Sequence, residues 1–205
     1  MIAVTLTTSD GLDLEARWDL PAAPSGYVVF CHPHPLFGGT MTAPLMQGVT
    51  SRLVDAGMAV LRFNFRGVAA SEGRHDFGIA EQLDVQAAVD LAESTYPQLS
   101  LRIAGWSFGA ATALAWQATS GNASPYGGIA PPTDFDRAPE LPLPDRLNGA
   151  DRVFILGDRD QFTTVDELRT YADCIGAALE VIKGSDHFFH FREDRVAEIL
   201  ARRFT

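Results

Sequence analysis

Leu101-Arg102-Ile103-Ala104-Gly105-Trp106-Ser107-Phe108-Gly109-Ala110-Ala111 reads as an apolar strand that enters a G-x-S-x-G turn and leaves it as an alanine-rich helix. That context, strand before and small-residue helix after, is the pattern of a nucleophile elbow. A serine at the apex of so sharp a turn has its Oγ pushed out above a sheet. Glycines stand at positions 105 and 109, where a Cβ would collide with the neighbouring strand and helix. Ser107 also sits at a helix N-terminus, so the Phe108 N–H and the positive end of the helix dipole face any oxygen that gains charge beside it. The plainer reading, a tight turn with a serine N-cap, accounts for the five motif residues but not for their context.

The rest of the chain supplies alternating strands and helices. Residues 4–8 and 12–18 alternate around Ser9-Asp10-Gly11, the signal of a hairpin. Residues 27–31, 58–65, 99–104, 126–129, 152–156 and 179–182 are short apolar runs, as expected of strands covered on both faces. Helical spacing appears in Leu45, Met46, Val49 and Leu53, in Leu83, Ala87 and Leu91, and in Val196, Ile199, Leu200 and Phe204. Thr164-Val165-Asp166-Glu167 forms a capping box that opens another helix. This order predicts an α/β fold: a mostly parallel sheet with helices on both faces, preceded by an antiparallel hairpin, as one domain over residues 1–205. The link after residue 129 carries Pro131, Pro132, Pro139, Pro142 and Pro144, and is too short and too proline-rich to build a helical cap.

Composition narrows the function. A net charge of −10 argues against nucleic acid or an anionic membrane as partner. No run approaches a membrane span and the first residues lack a basic, then apolar, leader, so the expected location is cytoplasmic. Cys31 and Cys174 read as small buried hydrophobes rather than a disulfide.

In such a sheet, reactive groups belong on loops that leave the C-terminal ends of strands. Gly157-Asp158-Arg159-Asp160-Gln161 and Gly184-Ser185-Asp186-His187 are two such loops. A serine hydroxyl needs an imidazole to take its proton and a carboxylate to orient that imidazole, and the order Ser, Asp, His is the one that accompanies the elbow. His187 and a carboxylate from the first loop offer both.

These residues, together with His32-Pro33-His34-Pro35-Leu36-Phe37-Gly38-Gly39, Asn64-Phe65-Arg66-Gly67 and Ser71-Glu72-Gly73, carry a full-length resemblance to the α/β-hydrolase superfamily. The chain resembles in particular its small, capless, dienelactone-hydrolase-like bacterial serine hydrolases. The resemblance implies an eight-stranded sheet without a cap domain, Ser107 as nucleophile, Asp160 as orienting acid and His187 as base. It also implies an oxyanion hole made by the Phe108 N–H and an N–H from the loop after the third strand. Pro33 and Pro35 have none to give, which selects Leu36, with His34 second. Asp160 is favoured over Asp158 because a carboxylate three residues past Gly157 has room to curl back towards His187, whereas Asp158 is placed to cap turn amides. Val68-Ala69-Ala70 departs from the pattern, standing where relatives often carry a further glycine.

The expected activity is hydrolysis of a carboxylic ester or thioester through an acyl-enzyme, with no cofactor, in a monomer or homodimer. Short acyl chains are expected to be preferred, since little apolar surface would cover a long one. Acyl transfer, peptide cleavage and a non-catalytic binding role on the same scaffold are the alternatives. His32, His34, His187 and His190 with Asp158 or Asp160 are metal-ligand types. The flanking prolines, however, make the first two loop-shaping residues, and a metal would leave the elbow unexplained. Glu81 and Asp84, at i and i+3, read as a solvated or loop-tethering helix face. Trp106 and Phe108 either line an acyl pocket or pack the elbow helix.

Overall fold

The computed structural model describes residues 1–204. Two antiparallel strands, β1 (Ile2–Thr7) and β2 (Asp13–Asp19), form the hairpin. β3 (Gly26–Cys31), β4 (Met58–Phe63), β5 (Leu101–Trp106), β6 (Tyr126–Ile129), β7 (Arg152–Gly157) and β8 (Ala178–Ile182) follow. The eight strands make one sheet in the order β1-β2-β4-β3-β5-β6-β7-β8. β2 joins β4 antiparallel, and every pairing from β4 to β8 is parallel. The expected architecture is therefore the observed one. β3, β4 and β7 are buried along their whole length, which is why their sequences are largely apolar rather than alternating, with Arg62 and Arg152 as buried exceptions.

Helices α1 (Pro44–Asp55), α2 (Glu81–Thr95), α3 (Phe108–Ser120), α4 (Val165–Ile175) and α5 (Glu193–Phe204) cover the sheet, α1 packing on α5 and α2 on α3. The capping box at α4 is formed, Thr164 and Glu167 each satisfying the other's backbone amide. No helix among the described residues is long and apolar enough to cross a membrane. Cys31 and Cys174 are both free, and Cys174 is exposed rather than buried as expected.

Two expectations need correction. β5 spans residues 101–106 rather than 99–104: Leu99 closes a turn on Tyr96, and the parallel register with β3 begins at Tyr27 and Leu101. In α2 the inner face is Val85, Ala87, Ala88, Val89 and Ala92, together with Glu81 and Asp84, while Leu83 is turned outward. Both acids are fully buried, so the loop-tethering reading applies and the solvated one does not. Asp84 accepts the Arg66 backbone N–H at 2.9 Å and holds its guanidinium at 2.7 Å. Arg66 reaches on to Asp10 of the hairpin turn. Glu81 accepts the backbone amides of Asp76 and Gly78 and lies 2.7 Å from His75 Nδ1. Two buried carboxylates thus fasten Arg66 and residues 75–78 of the loop to one end of α2. Burial opposes the Arg66 charge, but its hydrogen bonds to Asp84 and Asp10 outweigh that and hold its pKa above the ordinary value.

Candidate active site

The elbow lies between β5 and α3, at the centre of the sheet. Ser107 has φ 54° and ψ −121°, a strained conformation for a residue with a Cβ. It is held by its own N–H donating to Ile129 O at 2.7 Å and by its C=O accepting from Ala110 and Ala111. A Cβ on Gly105 would overlap the Gly109 carbonyl, and one on Gly109 would overlap the His32 and Cys31 carbonyls. This close approach lets α3 start directly under the serine.

His187 comes from the loop after β8 and Asp160 from the loop after β7. His187 Nε2 lies 2.9 Å from Ser107 Oγ, and Nδ1 lies 2.8 Å from Asp160 Oδ2. An ionised carboxylate only accepts, so Nδ1 carries the proton and Nε2 is left to accept from the serine hydroxyl. The Asp160 side chain has no exposure and that of His187 only 5%. The other Asp160 oxygen accepts the backbone amides of Phe162 and Thr163 at 2.8 and 3.1 Å, which fixes the carboxylate in place. The Trp106 indole N–H donates to the His187 carbonyl and steadies the histidine loop from the elbow side. Asp158 points elsewhere: it accepts the Gly184 N–H at 2.6 Å.

The two loop histidines are each committed. His32 is fully buried, with Nδ1 2.6 Å from Pro33 O and Nε2 accepting the Phe65 N–H at 3.0 Å. Burial pulls its pKa down to about 4 and keeps the ring neutral. His34 Nδ1 accepts the Leu36 N–H at 3.1 Å, so its Nε2 carries the proton and donates to Arg137 O at 2.8 Å. Burial lowers the His34 pKa as well. These histidines face separate partners, and no group of three or more His, Cys, Asp or Glu among the described residues is arranged to hold a metal ion.

The bond between Leu36 and His34 bears on the oxyanion donors. The Leu36 N–H, the expected second oxyanion donor, is spent on the His34 ring, and Leu36 does not line the cavity at Ser107. The His34 backbone N–H, by contrast, donates to nothing among the described residues. The Phe108 N–H, at the first residue of α3, has no intrahelical acceptor by construction.

A cavity of about 320 Å³ opens over Ser107. Around it runs a series of rings in contact: His34 to Phe37 (4.8 Å between centroids), Phe37 to Phe135 (6.2 Å), Phe135 to Phe162 (6.1 Å) and Phe162 to His187 (4.6 Å). Phe188 continues it, 5.6 Å from His187 and 6.5 Å from Trp106. Trp106 and Phe108 both line the cavity, so the pocket reading applies to each, while Phe108 also packs on Phe65. The sequence pointed to neither Phe135 nor Phe162. Each is a lone aromatic in an irregular segment, where no periodicity assigns a direction.

With this geometry in view, comparison with known proteins is specific. Residues 27–199 match the family model described as an alpha/beta hydrolase domain. An uncharacterized protein of Rickettsia prowazekii is 32% identical over 192 residues, covering 90% of this chain and 80% of that one. Among solved structures, an alpha-beta serine hydrolase homologue from Coxiella burnetii superposes with a TM-score of 0.87 at 27% identity, covering 100% of this chain and 97% of that chain. A Xanthomonas campestris serine hydrolase described as lacking a lid gives 0.86 at 27% identity, covering 98% and 92%.

Proposed function

Because the chain belongs to the alpha/beta hydrolase family, and its fold is that of the serine hydrolases without a lid, we propose that it cleaves a carboxylic ester or thioester through an acyl-enzyme on Ser107. The observation that carries this reading is the unbroken chain from Asp160 to His187 to Ser107, at 2.8 and 2.9 Å.

His187 Nε2 takes the hydroxyl proton as Ser107 Oγ bonds to the acyl carbon. The oxyanion that forms is held by two backbone amides, Phe108 N–H and His34 N–H, in place of the Leu36 amide. When the tetrahedral adduct collapses, the leaving alcohol or thiol takes the proton from His187. Water then enters, gives its proton to the same nitrogen and attacks the acyl carbon. Loss of the carboxylate product returns the proton to Ser107. Asp160 stays ionised throughout and balances the imidazolium.

A fluorophosphonate should add covalently to Ser107 in the folded protein. Ser107→Ala should lose both labelling and ester hydrolysis while its circular dichroism and melting temperature stay close to those of the parent. Labelling at another residue, or an alanine variant as active as the parent, would end this reading.

A further inference from the structure

We infer that the acyl group of the substrate is a neutral one that carries an aromatic ring, an ester or thioester of an aryl-substituted carboxylic acid whose ring is seated among the rings that surround Ser107. The inference rests on the serine-hydrolase reading and adds to it the substrate class. Three features of the cavity carry it.

The first is the open state of the rings. Phe37, Phe162 and Phe188 are 64%, 43% and 42% exposed, although each borders the cavity over the nucleophile. Large apolar side chains left uncovered together around a reactive atom are a binding surface awaiting a partner. An aliphatic chain would gain the same desolvation per unit area, but only another ring gains the edge-to-face and offset geometries these side chains already adopt with one another.

The second is charge. Among the described residues no Lys, Arg, Asp or Glu lines the cavity. A carboxylate on the substrate would find no cation there and would enter a protein of net charge −10.

The third is placement. The leaving oxygen must lie at His187 Nε2 to receive its proton, so the alcohol or thiol exits past Phe162 and Phe188. The acyl substituent then lies on the His34 side, between Phe37 and Phe135. Gly38, Gly39, Ala43 and Ala138 give it room, since they present little beyond backbone and methyl groups. Phe135 is a fixed wall. On one side of it Thr163, in the acid loop, donates to Pro131 O and accepts the Thr133 N–H. On the other side His34 donates to Arg137 O. Phe135 is thereby a specificity-determining residue, braced by the same two loops that carry the acid and the oxyanion amide.

The test compares methyl esters of equal acyl carbon count, 3-phenylpropanoate, 3-cyclohexylpropanoate and nonanoate, together with the methyl 3-phenylpropanoate bearing a para-carboxylate on its ring, on the intact chain. kcat/KM should favour the 3-phenylpropanoate over the 3-cyclohexylpropanoate about tenfold, and the para-carboxylate should cost more than that. Phe135→Leu and, separately, Phe37→Leu should lower the phenyl-to-cyclohexyl ratio, Phe135→Leu by more. Equal or better turnover of the cyclohexyl or straight-chain ester, or a ratio that survives Phe135→Leu, would overturn the inference. If Ser107 takes the fluorophosphonate while the esters show no such ranking, the aromatic assignment alone fails. If Ser107 takes no label and no ester turns over, the hydrolase reading falls and this inference with it.

Discussion

Two aspartates two residues apart do different work. Asp160 is buried against His187, whereas Asp158 binds a turn amide. Asp160→Asn should keep the fold and lower kcat by about 10⁴, the scale of the same change in the serine-protease triad. Asp158→Asn should leave kcat within a few-fold and show its effect in thermal stability. Steady-state kinetics of the pair checks this, and an inactive Asp158 variant beside an active Asp160 variant would reverse the assignment. The sequence pointed to Asp160 because turn geometry past Gly157 is local. It pointed to Leu36 rather than His34 for the second amide because which N–H stays free depends on where the His34 ring folds, and nothing in the residue order specifies that. His32 makes a prediction of its own. Its native value of about 4 lies below the ordinary 6.5, so between those pH values the unfolded chain binds a proton that the native ring refuses. Stability from His32 is fully present above about 6.5 and is lost as pH falls to about 4, by about 3 kcal/mol. Urea unfolding of the parent and of His32→Gln over that range should show the parent losing more free energy by about this amount. Parallel curves would contradict it.

Among the elements, the elbow is held by close backbone approaches. A methyl at Gly105 has only the α3 backbone to push against, so Gly105→Ala should cost about 3 kcal/mol and lower Tm by roughly 6–12 °C. A melt within a degree of the parent would show that the strand and helix approach less closely than described. Strands were legible because both faces of the sheet are covered, which turns a central strand such as β3 into an unbroken apolar run. α2 was legible as a helix, with Ala87 buried and Leu91 packed on the core, but Leu83 is turned outward. Its inner face includes two acids whose partners, Arg66 and the amides of residues 76 and 78, lie in a separate loop. A periodicity that counts only apolar residues places such a face outward, and so it took Leu83 as an inner position.

At the scale of the whole molecule, the mostly parallel sheet behind its antiparallel hairpin and the absence of a cap follow from the alternation of elements and from the proline-rich link after β6. The cavity does not. Its walls are single aromatics contributed by four separate loops, carrying Phe37, Phe135, Phe162 and Phe188, and loops have no repeat from which a direction can be read. The link expected to leave the site uncovered instead places Pro132, Phe135 and Ala138 against the cavity as a fixed wall. What unites the levels is the claim that a sheet of this order delivers a serine, a histidine and an aspartate to one point so that an acyl group can be held covalently. Mixing the protein with p-nitrophenyl acetate, quenching in acid on the millisecond scale and mapping the peptides by mass tests this most directly. The account predicts a burst of nitrophenolate stoichiometric with protein and an acetyl group on the peptide at Ser107. Turnover with no acyl adduct, or an adduct at any other residue, would contradict it.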